Sequence, residues 1–219
     1  ARGAVFGDCL ASILELVGYN VFREYYINDA GKQIEVLVES SFLRYLESLG
    51  KKNIKITEGL YPGDYLKTVG YILKQKYQED LKNLSFKKYF PKIKNIVLNE
   101  MLNGIKKDLN DLGVKIDIFT SETEIIKSGK VNEVLKILID KDLIYKGILD
   151  KPKGKAEEDW EPRPQQLFKS KLFGDDNDRA LKKSDGSWTY FATDIAYHFD
   201  KINRTKGDLI NILGADHAG

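Results

Sequence analysis

Apolar side chains recur at helical spacing from the start of the chain. Val5, Cys9, Leu10, Ile13, Leu14 and Val17 share one face, and Gly18 stands where a C′ glycine ends a helix. The next stretch, NVFREYYI (20–27), is β-branched and aromatic and predicts a strand. A second helix is expected from about Lys32 to Leu49, with Ile34, Leu37, Val38, Phe42, Tyr45 and Leu46 on one face and Gly50 after it. Helix, strand and helix in quick succession point to a doubly wound α/β sheet.

The middle differs. Residues 62–83 carry Leu66, Val69, Leu73 and Tyr77, and residues 89–112 carry Ile93, Val97, Met101, Ile105, Leu109 and Leu112, all at the 3.6-residue period. Two long helices with no strand between them predict a helical insertion in the sheet. Strands are expected at VKIDIF (114–119) and LIYKGIL (143–149), with a helix over about Asn132 to Leu143 between them. Residues 150–166 hold Pro152, Pro162, Pro164 and many charges, and read as an exposed loop. Asp185-Gly186 marks a hairpin. A helix at 194–203 should turn Ile195, Phe199 and Ile202 inward, and LINIL (209–213) reads as a buried strand with GADHAG at its carboxyl end.

Composition narrows the picture. The chain has 219 residues, 42% hydrophobic and 31% charged, which suffices for a core and excludes a disordered chain. One cysteine, Cys9, excludes a disulfide framework and a cysteine-built zinc site and fits a reducing compartment. Its place on an apolar helix face favours packing over nucleophilic chemistry. No apolar run reaches the roughly 18 residues of a membrane span. With 35 basic against 33 acidic residues, the net charge of +2 is not that of a dedicated nucleic-acid binder. Lys51-Lys52 and Lys87-Lys88 read as solvated helix faces.

Chemistry in doubly wound sheets gathers at the carboxyl ends of strands. Three segments place polar residues there: Asn28-Asp29-Ala30-Gly31, Tyr190 to Asp194, and Gly214-Ala215-Asp216-His217. For Asp29 and Asp194 the alternative is a helix N-cap. Three such ends together favour one shared cleft. There is no GxxxxGK[ST] loop, no GxGxxG after a strand and no GxSxG elbow. The two histidines, His198 and His217, have no metal-ligand spacing.

ARGAVFGD, YYINDAGKQI, EGLYPGDYL, FGDDNDRALKKSDGSWTYFATDIAYHFDK and LGADHAG, in that order, resemble the bacterial-type arginyl-tRNA synthetases of class I. The resemblance covers nearly the whole chain, and KSDGSWTYFATDIAYH is its most specific part. It implies a Rossmann-like doubly wound parallel sheet with a helical insertion, truncated at both ends. Residues 1–50 and 114–219 would be two parts of the catalytic domain, the latter with the exposed loop at 150–166, and 51–113 the insertion. The family's HIGH-like and KMSKS-like signatures do not occur in these 219 residues, so the chain alone is expected to be inactive.

The resemblance further implies ATP-dependent activation of L-arginine to arginyl-adenylate and transfer to tRNA(Arg), with tRNA bound before the first step. ATP is then a substrate, Mg2+ is expected with it, and no bound cofactor, metal site or covalent nucleophile is implied. The family's guanidinium pair matches Tyr190 and Asp194, and a second acid matches Glu122, for which a capping or solvated role is the alternative. His217, where other members carry Gln, falls near both arginine and adenosine, with a strand-end hydrogen-bonding histidine as the alternative. Gly214 and Asp216 join His217 in the nucleotide region. Asn28, Asp29, Gly31 and Gln33 fall at the pocket rim near the tRNA end. Asp64 reads as the N-cap of the helix after it. The intact enzyme is expected to be cytoplasmic, monomeric and free of membrane. Two other readings remain: a related class I nucleotidyl-transfer enzyme with another small-molecule substrate, and a non-enzymatic helical interaction module.

Overall fold

The computed structural model describes residues 2–149 and 163–214. They divide into two compact units, residues 3–23 with 28–117, and residues 24–27 with 118–214.

The first unit contains α1 (Arg2–Leu16, from Gly3), α2 (Lys32–Ser48), α3 (Tyr65–Tyr77) and α4 (Phe86–Asp111). Ile34, Val38, Phe42 and Tyr45 of α2 meet Leu66, Val69 and Leu73 of α3 and Tyr89, Ile93 and Val97 of α4 in one core. The periodicity places these residues correctly, because one apolar stripe per helix has one partner surface to bury against. Gly18 (φ 98°) and Gly50 (φ 89°) close α1 and α2. In each case the following amide reaches back to a carbonyl of the last turn, Tyr19 to Leu14 at 3.0 Å and Lys51 to Leu46 at 3.2 Å. Arg23 ties the end of this unit together. Its guanidinium holds Asp8 at 3.0 Å and Glu15 at 2.6 Å, and its amide donates to Asp117 at 2.8 Å.

Several expectations change. Residues 62–83 are not one helix, since α3 stops at Tyr77 and Gln78 takes a left-handed φ of 47°. Asp64 does sit at the N-cap of α3, with no side-chain cap bond. Cys9 is exposed rather than packed. Of the face it shares, Ile13 and Val17 are also exposed, and Ala11 is the buried residue of α1. Leu10 and Leu14 of that face are half-buried.

The second unit begins with β1 (Glu24–Ile27) paired in parallel with β2 (Ile118–Ser121), Glu24 opposite Ile118 and Tyr26 opposite Thr120. After β2 come α5 (Glu122–Lys127) and α6 (Lys130–Asp140). Then β3 (Ile144–Gly147), β4 (Gln165–Phe168) and β5 (Arg179–Ala180) form an antiparallel sheet, followed by α7 (Tyr190–Thr205). The FGDDNDRA stretch closes a turn in this sheet: Arg179 pairs with Asp175 at 2.6 Å, and Asp178 accepts from Tyr145 at 2.8 Å. The hairpin expected at Asp185-Gly186 is present as a bridge between Lys182 and Trp188.

The α/β class stands, although among the described residues the parallel sheet has two strands. LINIL (209–213) is not a strand there, and Ile210 and Leu213 are exposed. Composition signals a buried strand only where a neighbouring strand supplies the ladder. Ile202, expected inward, is 52% exposed, whereas Ile195 and Phe199 pack on the core. Most of the expected loop at 150–166 lies outside the described residues.

Candidate functional site

The site is built on the start of α7. Thr189, not Tyr190 or Asp194, is the N-cap: its side chain accepts from the Ala192 amide at 3.4 Å and donates to the Ala180 carbonyl at 2.8 Å. Tyr190 is therefore the first helical residue and does not end a strand. Asp194 follows it by four, so both side chains lie on one face, one turn apart. Tyr190 and Asp194 are exposed, as an accessible substrate surface requires. The Lys183 ammonium lies 5.5 Å from the Tyr190 ring centroid, so this ring already attracts a cation to its face.

Between those two residues on the helix, Thr193 turns inward and is 2% exposed. Its hydroxyl lies 3.2 Å from Glu122 Oε1, as donor, and 2.9 Å from the Tyr190 carbonyl. Glu122 is 3% exposed and opens α5 directly after β2. The capping role falls instead to Ser121, which accepts from the Glu124 amide at 3.1 Å. Glu122 is thus neither cap nor solvated acid, but a buried carboxylate held against α7.

Sequence reasoning missed Tyr26 and Thr193. Tyr26 stands in β1 with its ring 4.7 Å from that of Tyr197. Burial pushes its hydroxyl far above the ordinary phenol range, and the charges of Glu122 and Asp194 push it further. The surroundings of Tyr26 thus include both carboxylates. Strand alternation contained the signal, since Glu24 and Tyr26 share one face of β1.

That face carries a second polar cluster. Arg204 of α7 holds both Glu24 oxygens at 3.0 Å and Asp200 at 2.7 Å. Lys130 of α6 also bonds Asp200, and Thr120 bonds Glu24. Burial alone raises the Asp200 carboxyl, but Lys130 and Arg204 overcome it and hold the group below the usual carboxylate range. Lys201 lies 4.3 Å from the Tyr197 ring centroid, and burial holds its ammonium below the usual lysine range. The cluster fastens α7 to α6 and to both parallel strands, which fixes the helix bearing Tyr190 and Asp194.

Gly214 is the last described residue, three after Asn211, which α7 holds through His198 and Lys201. Asp216 and His217 lie outside the described residues. In the first unit Asn28 donates to Gln33 at 3.4 Å, and Gly31, not Asp29, is the N-cap of α2. Among the described residues no group of three or more His, Cys, Asp or Glu is arranged to hold a metal ion.

A profile of the class I (R) tRNA synthetases, catalytic domain, matches residues 1–215. The chain belongs to that family. Among class I (R) synthetases it is 57% identical over its whole length to an arginine–tRNA ligase of Wolbachia pipientis, 56% to one of Ehrlichia chaffeensis and 53% to one of Rickettsia bellii. It spans 38% of the length of each of these curated relatives. A Campylobacter jejuni crystal structure, provisionally assigned as an arginyl-tRNA synthetase, superposes with a TM-score of 0.82 at 33% identity, over all of this chain and 44% of that one. The arginyl-tRNA synthetase of Plasmodium falciparum, at 18% identity and a TM-score of 0.52 over 91% of this chain and 31% of its own, shares the fold.

Proposed function

We propose that the chain is the central part of the catalytic domain of an arginine–tRNA ligase, with residues 51–113 as a helical insertion between parts 1–50 and 114–219. The observation that supports this most is the pairing of Tyr190 and Asp194 one turn apart over a buried Glu122. A guanidinium is planar, always charged and carries five donors in a fixed fork. Asp194 offers it a carboxylate for bidentate pairing, Tyr190 a ring face or hydroxyl, and Glu122 a second negative charge fixed by Thr193. A lysine ammonium, a compact point charge, fills that arrangement poorly.

The arginine carboxylate oxygen attacks the α-phosphorus of ATP, forming the mixed anhydride and expelling pyrophosphate. A ribose hydroxyl at the tRNA(Arg) end then attacks the activated carbonyl, and AMP leaves. No covalent enzyme intermediate is needed, so the protein contributes positioning and charge stabilisation. Gly214, Asp216 and His217 are assigned to the nucleotide region, His217 also to arginine, and Asn28, Asp29, Gly31 and Gln33 to the rim near the tRNA end. Mg2+ would enter with the ATP phosphates. The enzyme is proposed to act in the cytoplasm as a monomer, and no described helix is long and apolar enough to cross a membrane.

The test is arginine-dependent pyrophosphate exchange, with tRNA present, in a full-length ligase carrying this segment. Asp194→Ala should lower kcat/KM for arginine by roughly a hundredfold or more, since a charged hydrogen-bonded pair is worth about 2–5 kcal/mol, while tRNA binding is retained. Unchanged arginine dependence would remove Asp194 from the site.

A further inference from the structure

The segment that follows α7, residues 208–214, has no strand ladder, and Ile210 and Leu213 face solvent. Among the described residues, Asn211 makes the side-chain hydrogen bonds of this segment. Its Oδ1 lies 3.1 Å from Lys201 Nζ and 3.2 Å from His198 Nε2. His198 faces the other way too, with Nδ1 2.9 Å from the carbonyl oxygen of Asp194. One imidazole therefore spans from the backbone of the proposed guanidinium-binding residue to the segment ending at Gly214.

We propose that Asn211 is a positioning residue: clipped by His198 and Lys201, it sets the nucleotide side of the site at a fixed distance from the arginine side. This rests on the reading of Asp194 and Gly214 given above. The donor count supports the assignment. Nδ1 faces a carbonyl and must donate. Lys201 has donors only, so the oxygen of the Asn211 amide, not its NH2, is what it meets. The same oxygen lies 3.2 Å from His198 Nε2. The geometry thus calls for an acceptor at position 211, and its identity as an amide matters less than the oxygen. The ring edge of Tyr197 packs on His198 with centroids 5.7 Å apart and limits its rotation. Tyr190, Asp194 and Glu122 are held by other contacts, the Thr189 cap and the Thr193 bond. Loss of the clip should therefore fall on the nucleotide rather than on arginine.

The experiment compares Asn211→Leu with Asn211→Asp in a full-length ligase carrying this segment. Pyrophosphate exchange supplies KM for ATP and for arginine, and amide hydrogen exchange reports on residues 208–214. Asn211→Leu should raise KM for ATP roughly tenfold, the scale of one lost hydrogen bond to a charged donor. It should change KM for arginine much less and speed exchange over 208–214. Asn211→Asp, which keeps the acceptor, should retain values near the parent. The proposal is overturned if Asn211→Leu leaves ATP KM and exchange unchanged, or if Asn211→Asp is as impaired as Asn211→Leu. Asp194→Ala run alongside separates the two ideas: a normal arginine KM in that variant removes the site reading, whereas exchange over 208–214 still decides the clip.

Discussion

In the first unit the residues of negligible exposure are Val38, Tyr45, Leu66, Val69, Leu73, Leu81, Ile93 and Val97. Its buried Ser40 and Ser41 donate to carbonyls of their own helix, Val36 at 2.7 Å and Leu37 at 2.8 Å, and Ser40 also accepts from the Tyr61 amide at 2.9 Å. In the second unit Leu167, Leu181 and Ala196 share the interior with Glu122, Thr193 and Asp200. Those polar groups are satisfied across elements: α5 to α7, and α7 to α6 and β1. Neutral hydroxyls satisfied by backbone groups cost little to bury. Carboxylates buried among tertiary partners are costly unless every partner is present, and such clusters gather at sites of chemistry. The first unit buries mostly apolar side chains, whereas the second buries carboxylates held by tertiary partners.

That contrast can be broken at graded points. Leu73→Ala should destabilise the first unit by about 2–5 kcal/mol through the cavity it leaves, with KM for arginine unchanged in the fraction that folds; urea unfolding and exchange kinetics measure both. A smaller loss, about 1–3 kcal/mol, is expected from Gly70→Ala. The added methyl would meet the Arg44 and Tyr45 backbone at 2.5–2.7 Å, where α3 crosses α2. In the second unit the sign reverses. Thr193→Val removes the hydroxyl that faces Glu122 and should raise KM for arginine roughly tenfold, with a melting temperature that falls less than for Leu73→Ala.

Acid sharpens the contrast further. Asp200 is held below its ordinary range, so its contribution is present above about pH 4 and is lost as pH falls through the folded value. Depressed carboxylates of the first unit, Glu15 and Asp64, are solvent-exposed and contribute little. Hydrogen exchange between pH 5 and 3 should therefore show the α6–α7 region loosening before α2–α4, and Asp200→Asn should abolish that order. The smallest effect is expected at the exposed Lys67–Asp64 pair, 2.8 Å apart. There Lys67→Ala should leave the melting temperature unchanged within error.

Much of the first unit was legible in the chain. The apolar stripe of α2, that of α4 except at its end, where Leu112 is 53% exposed, and the glycines that close α1 and α2 follow from local rules that tertiary context did not override. The second unit was legible in its motifs and not in its geometry. The residues flanking α7 resemble a strand because Trp188, Thr189 and Tyr190 have high β propensity, yet Thr189 caps the helix and moves its start four residues back from the expected 194. Glu122 looked like a cap or a surface acid because burial of a single charge leaves no periodic trace. Residues 209–213 looked buried because Leu and Ile suit a core, but apolar composition alone does not provide a strand to pair with. Tyr26 was visible in principle through its alternation with Glu24.

The central claim is that Tyr190, Asp194 and Glu122 recognise a guanidinium. Citrulline replaces one guanidinium nitrogen with oxygen and removes the charge while keeping the shape. The most direct measurement is the ratio of citrulline Ki to arginine KM in pyrophosphate exchange, with tRNA present, for a full-length ligase carrying this segment and for its Asp194→Asn variant. The parent should discriminate by roughly a hundredfold or more, because citrulline gives up the charge-assisted pairing with Asp194, and Asp194→Asn should shrink that ratio by at least about tenfold. An undiminished ratio in the variant would contradict the account.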